Sequence, residues 1–173
     1  MTKRTFLPAV VAAIVALLTL LSVALGSASA ERSAGPARIS IRNLVSGNMS
    51  SDGTFKGRFK MVLDGVVADS GTSITRPNQQ GALRVADGQM QTPVSGYNNL
   101  TSPKGTLSLS FAGVSVDIPN FDPTKNAFGV EYGAWKITGG TGIYKGWKGT
   151  GRWANASTAT GLQMIDWAGT ATH

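Results

Sequence analysis

Cysteine is absent from this 173-residue chain, and histidine occurs once, as the terminal His173. That excludes disulfides, a lipid-modified cysteine, Ser-His-Asp and Cys-His nucleophile pairs, and zinc sites built from thiolate and imidazole. Carboxylates are few, nine in all. A calcium loop clusters oxygens in the pattern D-x-[DN]-x-[DN]-G. "PNFDPTKN" (119–126) has only Asp122 between Asn120 and Asn126, with two prolines that favour a plain turn. No metal and no cofactor is therefore expected. Runs of like charge are missing too, and no segment carries a convincing helical period.

What is present starts with a targeting signal. Lys3 and Arg4 precede a nearly unbroken apolar run from Phe6 to Leu25, and Ala28-Ser29-Ala30 follows. This is the layout of a secretory signal peptide over residues 1–30, cut between Ala30 and Glu31. The run is long enough for a membrane span, but its small-residue exit favours cleavage, so no stable anchor is expected and the product is read as secreted. The remaining 143 residues carry fourteen Lys/Arg against nine Asp/Glu. The surplus cations lie singly along strands, which suits solubility better than an anionic partner. Residues 31–50 read as a lead with a possible first strand, and 51–173 as the folded domain. An exported domain without disulfides must rely on burial and backbone pairing, and closure into a barrel removes exposed strand edges.

Period-two patterning recurs between turn clusters. "ARISIRNLV" (37–45) sets Ile39 and Ile41 against Arg38, Ser40 and Arg42. In "GTFKGRFKMVLDG" (53–65), Phe55, Gly57, Phe59, Met61 and Leu63 oppose Lys56, Arg58 and Lys60. Shorter candidates are 69–75, 81–86 and 88–94. "GTLSLSF" (105–111) is continued by 113–118 past a bulge expected at Gly113. Segments 128–138, 143–153 and 161–172 complete eight or nine strands, an all-β barrel or sandwich.

"ITGGTGIYKGWKGTGRW" (137–153) decides between chemistries. It lacks G-x-x-x-x-G-K-[ST], and Gly140, Gly142 and Gly146 miss the G-x-G-x-x-G spacing by one residue. Strand parity puts Trp147, Gly149, Gly151 and Trp153 on one face and Lys148, Thr150 and Arg152 on the other. An apolar face with a wet back is not a nucleic-acid stacking platform, so no nucleic acid is expected. A hairpin fits best: Trp135 and Ile137 end one strand, "GGTG" turns, and Ile143 opens the next. Gly149 and Gly151 leave bare backbone for large rings and let the ribbon coil sharply.

On Gly139, Gly140, Thr141, Gly142, Ile143, Tyr144, Gly146 and Gly149, the segment 135–153 resembles the hallmark hairpin of the allene oxide cyclase and dirigent barrels. "NLTSPKGTLSLSF" (99–111) is similar to strands that precede such hairpins in small exported bacterial proteins. The resemblance implies a single, antiparallel, up-and-down, eight-stranded, calycin-like barrel. It carries over no catalytic residue, because no position here matches the motifs of the cyclase glutamate or the dirigent pocket carboxylates.

Barrels of this size are either filled by side chains or hold one small ligand. Phe55, Phe59, Leu107, Phe111, Trp135, Trp147 and Trp153 are the candidate core or pocket. Ligand contact is assigned to Phe59, Phe111, Trp135, Trp147 and Trp153. Asp64, Asp117, Glu131 and Asp166 fall within strand candidates. Glu131 shares parity with Gly133, Trp135 and Ile137; lining the barrel would raise its pKa and equip it for proton transfer, whereas a parity slip would leave it beside a surface cation. The leading reading is a non-enzymatic exported domain that binds a small apolar or aromatic molecule or a surface partner. The alternatives are a cofactor-free isomerase or cyclase using Glu131 with Tyr132 or Tyr144, and an extracellular structural or adhesion module. The triplets at Asn48, Asn99 and Asn155 match glycan acceptor sites and are read as incidental.

Overall fold

Alternation of large apolar and polar residues, broken by glycine turns, builds nine strands. In the computed structural model the described residues are 35–47, 49–86, 88–116, 129–157 and 161–173. The chain divides into units Met1–Gly35 and Pro36–His173, and only the second is treated below; the signal segment with Ala30 and Glu31 lies outside the described residues. The strands are β1 (Ala37–Val45), β2 (Phe55–Leu63), β3 (Val66–Gln80), β4 (Arg84–Ala86), β5 (Gln89–Ser102), β6 (Gly105–Val116), β7 (Gly129–Gly140), β8 (Lys148–Ser157) and β9 (Gln163–Thr172). Among the described residues, no helix is long and apolar enough to cross a membrane.

Every pairing is antiparallel, and the order β3-β2-β1-β9-β8-β7-β6-β5 closes through β3–β5 pairing into an eight-stranded up-and-down barrel. β4 is an extra short strand on β5. Closure leaves the eight wall strands without a free edge, which suits a chain with no cross-links. The segment set apart as a possible first strand is integral to the wall, since β1 pairs with both β2 and β9.

Three expectations are corrected. The wall bulges lie at Met61/Val62, Pro77/Gln79 and Ser108/Leu109, not at Gly113, which pairs in register with Gly133. Pro77 cannot donate to the ladder, and the register shifts beside it. β3 and β5 run far beyond 69–75 and 88–94; in the added part of β5 the inward Asn98 is too polar to register as an apolar alternation. The third concerns the glycine-rich hairpin: Ile143 does not open a strand. Residues Gly142–Tyr144 form a 3₁₀ turn, and β8 begins at Lys148. The turn forms because it lets Tyr144 bury inside the barrel, leaving it 2% exposed.

Large rings do lie over bare backbone. A Cβ on Gly151 would stand 2.0 Å from the Ala168 carbonyl oxygen and 2.7 Å from the Trp135 indole nitrogen. That indole donates to the carbonyls of Arg152 (3.0 Å) and Ala168 (3.2 Å), bracketing Gly151. Phe111 presses on Gly96 and Phe59 on Gly71 in the same way, at 2.6 and 3.0 Å from the hypothetical Cβ. Ring and glycine are thus paired across neighbouring strands, and each pair lets a bulky side chain fit a narrow cylinder.

The interior has two halves. Toward the end holding the β7–β8 turn, Ile39, Met61, Leu100, Leu107 and Tyr144 belong to the buried apolar core. Toward the other end, where β6 ends and β7 begins, aromatic rings and polar side chains share the lumen.

Candidate functional site: an aromatic cavity at the barrel mouth

Three rings form the wall of this site. Phe111 meets Trp153 edge-on at 4.9 Å and Trp167 at 5.6 Å, while Trp153 and Trp167 stack at 5.8 Å. Trp153 and Trp167 are register partners on β8 and β9, and Phe111 reaches them from β6 across the lumen. Beside them opens a cavity of about 160 Å³, also bounded by Phe55, Val94 and Ile165. A cavity of roughly 150 Å³ suffices for one benzene ring.

Polar groups reach the same space. Glu131, register partner of Asn155, accepts a hydrogen bond from its Nδ2 at 3.1 Å. Ser157 and Gln163 complete the polar rim. Among the described residues, Asn155 Oδ1, Thr75 Oγ1 and Trp167 Nε1 are buried without a hydrogen-bond partner, and all three residues line the cavity. The amides of Asn43 and Asn98 and the Ser73 hydroxyl are equally unpaired deeper in the barrel. Buried polar atoms normally find partners, and an unpaired one costs ~1–3 kcal/mol.

The opposite end is sealed by a different network. Tyr144 donates its hydroxyl to Asp69 Oδ2, Ser102 Oγ donates to the same oxygen at 2.6 Å, and the Ser70 amide donates to Oδ1 at 2.8 Å. Burial pushes the Asp69 carboxyl up, but the bonds from Ser102, Tyr144 and Ser70 and the nearby Lys104 charge outweigh it and hold it below the usual carboxylate range. Burial, then the Asp69 contact, raises the Tyr144 phenol above its ordinary value. Trp147 packs edge-on against Tyr144 at 5.2 Å and thickens the plug.

The residues singled out from sequence therefore separate. Phe111, Trp153 and Glu131 meet at the mouth. Phe59 and Trp135 are core residues, 4% and 3% exposed, away from the cavity lining, and Trp147 and Tyr144 belong to the plug. Tyr132 lies on the outer face, 44% exposed, so neither tyrosine stands beside Glu131. Parity does not slip at Gly133: Glu131 lines the lumen and meets Asn155, not a cation. Asp166 pairs on the outside with Arg42 at 2.7 Å, Asp64 caps a turn by accepting the Arg38 amide, and Asp117 lies outside the described residues. Asn155 points inward and is closed to a glycan. Sequence reasoning missed Thr75, Asn155 as a lining residue, Trp167 and Asp69. Trp167 was within reach, since it shares inward parity with Ile165. A larger depression of about 570 Å³ lies outside, around Lys136, Thr150 and Arg152, and is open to solvent. Among the described residues no cluster of ligating side chains is arranged for a metal ion.

No family model, curated protein or solved structure matches this chain.

Proposed function

We propose that this protein is an exported, non-enzymatic carrier or receptor for a small aromatic molecule of about one ring, held at the mouth of the barrel. The observation that carries this reading is the coincidence, around one cavity of matching size, of aromatic walls with three lining residues that each hold an unpaired, buried polar atom. Apolar walls with a few fixed polar groups are the usual make-up of small-molecule sites. Kinship with the allene oxide cyclase and dirigent barrels belongs to the same proposal and rests on the hairpin 135–153. Export rests on the apolar segment and the Ala28-Ser29-Ala30 exit.

An acid-base isomerase is less well supported, because Tyr132 points to the outer face and neither Tyr132 nor Tyr144 lines the cavity with Glu131. Glu131→Gln would abolish turnover in that reading, whereas a binding protein would still take up a neutral single-ring compound. Native mass spectrometry of protein purified from its own culture medium tests the proposal. A mature mass beginning at Glu31 with a co-purifying single-ring compound is expected. Empty protein, combined with no tryptophan quenching by a panel of single-ring compounds, would overturn it.

A further inference from the structure

Glu131 is the one charged side chain among the described residues lining the mouth cavity. Next to it, Asn155 donates from Nδ2 to the carboxylate, and its Oδ1 is a second acceptor, buried and unpaired, on a residue that lines the cavity. Two acceptors, one of them anionic, thus sit on neighbouring residues of the lining, and the one donor bonded to the carboxylate among the described residues is the Asn155 amide itself. Asn155 is 7% exposed, so the oxygen sits where water competes poorly. The rings of Phe111, Trp153 and Trp167 add negative π-faces within the same space. Trp167 Nε1 is the complement: a donor without an acceptor, on a side chain only 1% exposed, and the unpaired Thr75 hydroxyl can take either role.

We propose that the ligand is an organic cation: a single-ring aromatic amine whose ammonium rests between Glu131 and Asn155 Oδ1, its ring among Phe111, Trp153 and Trp167. An oxygen on the far side of the ring accepts from Trp167 Nε1. A chain with a surplus of positive charge here places a lone carboxylate at its cavity rim, which selects against anions of the same shape. This assignment rests on the mouth cavity being the binding site.

Three probes of equal ring size separate the two levels: tyramine (cation), 4-ethylphenol (neutral) and 4-hydroxyphenylacetate (anion), titrated by tryptophan fluorescence and calorimetry. Tyramine is expected to bind about tenfold or more tighter than 4-ethylphenol, the factor carried by one charge-assisted hydrogen bond, with the anion weakest. Glu131→Gln is expected to remove most of that preference, so that tyramine and 4-ethylphenol bind alike. Equal binding of all three by the wild-type protein would overturn the cation assignment and leave the mouth site standing. Failure of all three to bind would overturn both.

Discussion

Gly151→Ala adds one methyl group where the wall is most crowded. Its Cβ would stand 2.0 Å from a backbone oxygen of β9, 2.7 Å from the Gly169 Cα and 2.7 Å from the Trp135 indole nitrogen. The first two are backbone atoms in a paired strand and cannot swing aside, so β8 and β9 must part or Trp135 must tilt. Overpacking of this kind costs ~1–3 kcal/mol. Displacing the indole from the Arg152 and Ala168 carbonyls leaves a buried donor unpaired, at ~1–3 kcal/mol more. Loss of unfolded-state freedom on Gly→Ala offsets ~0.4–1 kcal/mol. The net is about 3 kcal/mol, which for a domain of this size lowers Tm by roughly 10 °C. Thermal unfolding followed by near-ultraviolet circular dichroism reads both the shift and the loss of a fixed Trp135 environment. Gly139→Ala, where nothing lies within 4 Å of the added carbon, is the control and is expected to leave Tm within a degree or two or raise it. Equal Tm values for Gly151→Ala and wild type, or equal damage from both variants, would refute the ring-over-glycine account.

Tyr144→Phe removes the hydroxyl that seals the barrel floor and leaves Asp69 short of a donor; a loss of ~1–3 kcal/mol is expected in urea unfolding. The same contact sets two pH limbs. Asp69 titrates lower folded than unfolded, so its stabilisation is full above the unfolded value of about 3.9 and disappears as pH falls through the folded value. Tyr144 titrates higher folded than unfolded, so its share is full below about pH 10 and disappears as pH rises through the folded value. Unfolding midpoints across pH should show a shallower acid limb in Asp69→Asn and a shallower alkaline limb in Tyr144→Phe. At the mouth, Trp167→Phe keeps the wall but removes the unpaired donor; phenolic probes should then bind roughly tenfold more weakly, as the loss of one buried hydrogen bond implies.

The wall was legible where inward residues are apolar. β1 lies at 37–45, as the alternation places it, and β2, β6 and β9 follow their patterns closely. It was less legible where the lumen is polar: 69–75 is only the middle of β3, and β5 extends past 94 with Asn98 inward, a residue that reads as a turn former in a linear string. Of the inward polar residues of β3, Thr75 lines the mouth cavity. Asn43, on the parity of Ile39 and Ile41, is the one such position visible in advance. The Asp69–Tyr144 contact joins residues 75 apart in sequence, and only closure of the barrel brings them together. Glu131 is the converse case: its inward parity was readable, while its partner Asn155 and the distance of both tyrosines were not.

The four indole protons offer the most direct test of the mouth as a binding site, because each reports a different place. In ¹⁵N-correlated spectra, tyramine is expected to shift the Trp167 Nε1–H resonance strongly and Trp153 measurably. Trp135, tied to two carbonyls beneath the wall, and Trp147, on the plug at the other end, are expected to stay in place. Shifts confined to Trp147, or saturating binding with Trp167 unmoved, would contradict the account.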